Sequence, residues 1–126
     1  MSRYNKDLGD FGEKVSSEYL RDEGYKIICE KYNTNSGEID IIAENEKYLI
    51  FVEVKTRSSL KFGYPAEAVN YNKMKHIISA AERYVFDNPT QKEIRFDVIE
   101  VIARISNDKP RLIEVNHIPD IVLGDA

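Results

Sequence analysis

A single cysteine, Cys29, has nothing to pair with, so no internal disulfide braces this chain. Its simplest place is a buried strand position. Only two histidines, His76 and His117, accompany it, and together they make no zinc-ligand spacing and no Ser/His/Asp or Cys/His nucleophile arrangement. Both read as surface or internally satisfied residues. No apolar run is longer than Tyr48 to Val52, which is far too short for a membrane span. The opening Met-Ser-Arg-Tyr-Asn-Lys-Asp has no signal-peptide core, so the expectation is a cytoplasmic protein without a membrane partner. Phosphate-cradling glycine loops, nucleotide fingerprints, internal repeats and low-complexity tracts are absent as well.

What is present fits one compact core. The 126 residues are too few for two independent cores, and 42% hydrophobic with 32% charged residues describes a soluble globular domain. Residues 1–118 read as that domain and residues 119–126 as a loosely held C-terminal tail. A net charge of −4 argues against a uniformly basic nucleic-acid binder, yet the charge is segregated. Between Val54 and Phe86 stand Lys55, Arg57, Lys61, Lys73, Lys75 and Arg83 against only Glu67 and Glu82. That is either a solvated helix face with a charged loop or a surface for a polyanion.

Hydrophobic periodicity orders the chain. Leu8, Phe11, Val15, Tyr19 and Leu20 mark a first helix, with Asp7 to cap it and Gly24 to close it. Tyr25 to Tyr32 reads as a strand, and Asn33 to Gly37 as a loop of turn formers. Ile39 to Glu44 and Tyr48 to Lys55 then form an antiparallel hairpin across Asn45-Glu46-Lys47. Beyond an irregular stretch from Ser58 to Pro65, Met74, Ile77, Ile78, Ala81, Tyr84 and Val85 mark a second helix, capped by Asn70 or Asn72. Ile94 to Ile105 and Leu112 to Ile118 make a second hairpin around Asn107-Asp108-Lys109-Pro110. The order α-β-β-β-α-β-β predicts an α/β fold, a mixed sheet with helices on its faces.

Two acids stand out in the first hairpin. With the turn centred between Glu46 and Lys47, Asp40 and Glu53 fall opposite one another on one face, roughly 5 Å apart at Cβ, where two anions repel unless a cation lies between them. Alternation puts Lys55 on the same face. The pair is either a solvated feature of a wet sheet face or a divalent-metal site, and the apolar neighbours Ile39, Ile41, Val52 and Val54 make an uncompensated carboxylate costly. Glu13, at the margin of the first helix's apolar arc among Gly9, Gly12, Ser16 and Ser17, is either a third ligand or an ordinary flank glutamate. Lys73, on the flank of the second helix, either holds a phosphate or is solvated.

Gly12-Glu13, Tyr19-Leu20, Gly24-Tyr25, Gly37-Glu38-Ile39-Asp40, Phe51-Val52-Glu53-Val54-Lys55-Thr56-Arg57 and Pro65-Ala66-Glu67-Ala68-Val69 together resemble the YraN-like family of small bacterial proteins of unassigned function. That family is similar in turn to Holliday-junction resolvases and the PD-(D/E)XK nucleases, so the resemblance implies a restriction-endonuclease-like fold. It implies that Asp40 and Glu53, with the Val54 carbonyl and Glu13, ligate Mg²⁺ or Mn²⁺. Lys55 would orient or deprotonate the attacking water, and Arg57 and Lys73 would hold phosphate oxygens. The superfamily's loosely kept proline before the aspartate is Ile39 here, and helix-one alanines typical of the family are Ser16 and Ser17.

Oxygen ligands without cysteine or histidine suit Mg²⁺ or Mn²⁺, and a bound metal activates water for phosphodiester hydrolysis. The metal also inverts the field of an acidic site, so Arg57, Lys61, Lys73 and Lys75 could meet a DNA backbone without reading its bases. Tyr64 and Tyr71 read as core or rim aromatics, and the Ser58 to Tyr64 loop as the segment best placed to close on substrate. The expectation is therefore a metal-dependent endodeoxyribonuclease acting on DNA, with branched or flapped DNA and a two-fold homodimer suggested by the resolvase resemblance alone. The alternatives are a non-catalytic nucleic-acid-binding or protein-interaction module on the same fold, and a structural protein whose acids pair with Lys55 and Arg57.

Overall fold

The computed structural model describes residues 3–58 and 71–121, with side chains described from residue 6 and from residue 72 of the second segment. Its elements run α1 (Arg3–Asp22), β1 (Lys26–Asn33), β2 (Glu38–Glu44), β3 (Tyr48–Arg57), α2 (Tyr71–Asp87), β4 (Glu93–Ser106) and β5 (Lys109–Ile118). The strands form one five-stranded sheet in sequence order. Neighbours are antiparallel except β3 and β4, which run parallel because α2 lies in the connection between them.

Local chemistry explains most boundaries. After α1, the Tyr25 N–H donates to the Leu20 carbonyl and the Gly24 N–H to the Arg21 carbonyl, a Schellman closure with Gly24 at φ +94°. In the first hairpin, Asn45 Oδ1 accepts from the N–H groups of Lys47 and Tyr48, which fixes the turn without an Asn-Gly pair. The second hairpin turns on Asn107 and Asp108, both at positive φ as a two-residue primed turn requires. α1 begins at Arg3, ahead of the expected Asp7 cap, so Asp7 lies inside the helix.

The sheet is covered on both faces. Phe11, Val15, Tyr19 and Leu20 of α1 pack on Ile41, Ala43, Ile50, Val52, Ile99 and Val101. Ala80, Ala81, Tyr84 and Val85 of α2 pack on Ile42, Phe51 and Phe96. Burying these aliphatic side chains supplies the main drive to fold, each contributing about 1.5–3 kcal/mol. Cys29 is half-buried at the edge of the α2 cluster, not buried as expected, because edge strand β1 turns much of its surface to water.

α1 docks closely because residue 12 is glycine. A Cβ there would overlap Thr56 Oγ1 and lie 2.9 Å from Thr56 Cβ. On the same side, fully buried Asp97 accepts from Arg95 through both oxygens, at 2.9 and 2.7 Å, and from the Asp120 N–H at 2.9 Å. It also lies 2.7 Å from His117 Nε2, and His117 Nδ1 lies 3.0 Å from the Tyr19 hydroxyl. The Ile121 N–H donates to the Phe96 carbonyl, so Asp120 and Ile121, expected in a loose tail, are tied to β4.

Candidate active site

The β2–β3 hairpin sets the site. Ile41 pairs with Val52 and Ile42 with Phe51, and the next step of that register brings Asp40 opposite Glu53. The Val54 N–H donates to Asp40 Oδ2 at 2.8 Å, so a β3 backbone group that would otherwise continue the ladder holds the aspartate in place. Glu53 is buried, with its side chain 8% exposed. Ile42, one step from Asp40 along the face, packs under α2, which places the two acids on the α2 side of the sheet.

Lys73 of α2 reaches this pair, its Nζ lying 3.3 Å from Glu53 Oε1. Burial, a hydrogen bond shared with Asp40 and the Asp40 charge together push the Glu53 carboxyl up to about 8, against the pull of Lys73 and Lys55. Lys55 is half-buried, and burial and the neighbouring Lys73 lower its pKa. Burial works against the Lys73 charge too, but Glu53, a hydrogen bond with Lys55 and the Asp40 charge together raise the value. Two acids and two ammonium groups therefore share one partly desolvated spot.

A cleft of about 520 Å³ opens onto these groups, lined by Asp40, Glu53, Lys73, His76 and the 33–37 loop. His76 Nδ1 donates to the Ser36 carbonyl, and Thr34 Oγ1 accepts from the Ser36 and Gly37 N–H groups, so the cleft wall is pinned to α2. Read from the sequence, His76 had no visible role. Its place three residues after Lys73, on the same helical face, is the signal that could have put it here.

Other expected site residues stand elsewhere. Glu13 lies beside Lys31, at 3.8 Å, and lines a separate charged depression with Asp10, Lys14 and Glu30. Burial and the Asp40 charge raise its pKa, and its Oε1 is buried without a hydrogen-bond partner. Arg57, on the face of Glu53 and Lys55, sits 3.0 Å from Glu100 Oε2. Glu100 is fully buried in β4 opposite Lys55, with Asn116 Nδ2 donating to its other oxygen at 3.3 Å. An acid inside the apolar run Val98-Ile99-Glu100-Val101-Ile102 is a sequence signal of the same kind as Glu53 within its own apolar strand. Lys75 is exposed on α2, whereas Lys61, Tyr64 and most of the loop expected to close on substrate lie outside the described residues, as does the Tyr71 side chain.

The donor chemistry fits a hard divalent cation. Asp40, Glu53 and the Val54 carbonyl are oxygen donors, and Mg²⁺ is commonly held by one or two carboxylates with its remaining positions filled by water or substrate. No group of three or more His, Cys, Asp or Glu side chains is gathered for a metal among the described residues, and Glu13 stands near enough for the Asp40 charge to act on it. Its unpartnered oxygen faces the same field from the α1 side.

The fold and site define a class: a mixed α/β domain with an open five-stranded sheet between helices, carrying an Asp-Glu-Lys group on one hairpin. The chain belongs to the Uncharacterised protein family UPF0102, whose model matches residues 12–101. A UPF0102 protein of Clostridioides difficile strain 630 is 54% identical over 98 residues, covering 77% of this chain and 86% of that one. Another, from Caldanaerobacter subterraneus, is 42% identical over 120 residues, 94% of this chain and 97% of its own. A third, from Clostridium acetobutylicum, is 46% identical over 109 residues, 86% and 89% of the two chains. Among solved structures an XisH family protein from Nostoc punctiforme is 13% identical, with a TM-score of 0.40 over 82% of this chain and 98% of that one. That distance carries no argument about activity. No helix among the described residues is long and apolar enough to cross a membrane.

Proposed function

We propose that this protein is a Mg²⁺- or Mn²⁺-dependent endonuclease that hydrolyses DNA phosphodiester bonds, with branched or flapped DNA as the substrate class suggested by its resolvase resemblance. The observation that carries the reading is the convergence of Asp40, Glu53 and Lys55 at one end of a covered hairpin, where the bare carboxylates repel. Bound there, a divalent cation supplies charge neutralisation and an activated water. Asp40, aimed by the Val54 N–H, and Glu53 would hold it with the Val54 carbonyl. Lys55 orients the attacking water on the same face, and Lys73 and Lys75 on α2 hold backbone phosphate oxygens. Symmetric cutting of a branched substrate would call for two copies of the chain.

A specific observation favours a second reading, a module on a nuclease-like fold that binds without cutting. Two cations expected on phosphate face acids of the chain itself, Lys73 on Glu53 and Arg57 on Glu100. The test uses labelled single strand, duplex, flap and four-way junction in Mn²⁺, with a chelator arm and Glu53→Gln protein. The nuclease reading expects metal-dependent cleavage of at least one substrate, reduced about 100-fold or more in the variant. Binding of DNA that is indifferent to chelator and never followed by cutting supports the module.

A further inference from the structure

We propose that Lys73 is a built-in counter-ion of the acidic site, occupying the place of the cation in the metal-free protein and competing with a divalent metal for Glu53. The inference rests on the metal-site reading above and assigns Lys73 a task other than phosphate binding. It starts from charge. Asp40 and Glu53 carry at most two negative charges, and the ammonium groups of Lys73 and Lys55 both act on Glu53. Two ammonium groups therefore already supply all the positive charge these acids can balance, and a divalent ion entering the site adds two charges with no acid left to balance them.

Geometry decides which lysine yields. Lys55 is on a sheet strand flanked by β4, where its position is set by the ladder. Lys73 comes from α2 on a flexible stem, its side chain 37% exposed, with its ammonium 3.3 Å from Glu53 Oε1. Oxygens ligating Mg²⁺ lie about 2.0–2.1 Å from the ion, so an ammonium on the same carboxylate stands within close like-charge range of it. Lys73 can swing toward the cleft mouth, which it already lines beside His76, whereas Lys55 does not line that cleft. Metal entry and Lys73 release are thus two sides of one exchange, and the ammonium is set free toward the open cleft at the moment the site loads.

The test is calorimetric titration of Mn²⁺ into wild-type, Lys73→Met, Lys73→Arg and Arg83→Gln proteins at one pH and low salt. Arg83 is on α2, away from Glu53 and paired with Asp87, so its variant controls for the loss of one positive charge on the same helix. Lys73→Met should bind Mn²⁺ about tenfold more tightly than wild type, the size expected for removing one competing unit charge in partly solvated surroundings. Lys73→Arg and Arg83→Gln should stay within about twofold of wild type. Melting curves without metal accompany the titration and should show Lys73→Met melting below wild type, with added Mn²⁺ raising its midpoint more than that of wild type. Should the Met variant fail to fold, Lys73→Gln replaces it with the same expectation. Equal or weaker Mn²⁺ binding by the neutral variants overturns the exchange and leaves the metal site standing. Absence of Mn²⁺ binding by wild type and neutral variants alike overturns the metal site and this inference together.

Discussion

Three acids of the sheet, Asp97 in β4, Asp40 in β2 and Glu53 in β3, are sorted into different tasks by their surroundings. Asp97 is fully satisfied: desolvation alone would raise its pKa, but His117, Arg95 and the Asp120 N–H reverse that and hold the carboxyl below its ordinary range. A depressed carboxyl stabilises the fold above its unfolded pKa of about 3.9, and that contribution is lost as pH falls through the lower folded value. Asp97→Asn should cost about 3–5 kcal/mol at neutral pH, since it leaves Arg95 buried without its partner. Denaturant unfolding at pH 7 and at pH 3 should show the gap to wild type narrowing in acid. An equal gap at both would mean that the Asp97 charge does not hold this network. Asp40 and Glu53 are the reverse case, since each raises the cost of the other's charge. Asp40→Asn keeps an acceptor for the Val54 N–H while removing the repulsion, so the metal-free protein should gain about 1 kcal/mol. A comparable loss in a thermal melt would assign Asp40 to the stability of the fold.

At the scale of elements, the order and most boundaries were legible in the sequence because apolar spacing and turn residues agree. The hairpin centred on Glu46 and Lys47 fixed the Asp40–Glu53 pairing in advance, since a slip of one residue would carry one acid into the apolar face under α1. The small residues of α1, Gly9, Gly12, Ser16 and Ser17, permit a close approach to the sheet, but nothing in the spacing of Gly12 shows that Thr56 will be the residue that stands against it. Gly12→Ala should lower stability by about 1–3 kcal/mol through overpacking, checked by chemical denaturation, and an unchanged midpoint would refute the close dock. For the same reason Glu13 could be placed on the margin of α1 but not beside Lys31. Lys31 at φ +54° is a local backbone choice that strand patterning does not reveal.

For the molecule as a whole, charge segregation along the chain does not by itself tell which cations of the described residues face outward. Arg57 and Lys73 looked available to a polyanion, yet each is turned toward an acid distant in sequence or buried in the sheet. Pairing of this kind depends on which side chains share a sheet face, and a count along the sequence cannot supply it. Asp40, Glu53 and Lys55 were legible because a two-residue period and one hairpin turn suffice to bring them together. The groups that His76 and Glu100 face were not, because α2 and β4 must first be placed on the sheet. The central claim is that Lys55 acts on the water that attacks phosphate, at a site made by Asp40 and Glu53. The most direct measurement is single-turnover cleavage in Mn²⁺ by wild-type and Lys55→Met proteins, with Mn²⁺ and DNA affinities measured on the same preparations. The account predicts a rate at least about 100-fold lower in the variant while both affinities stay close to wild type. Equal cleavage rates, or no cleavage by either protein with metal and DNA both bound, would contradict it.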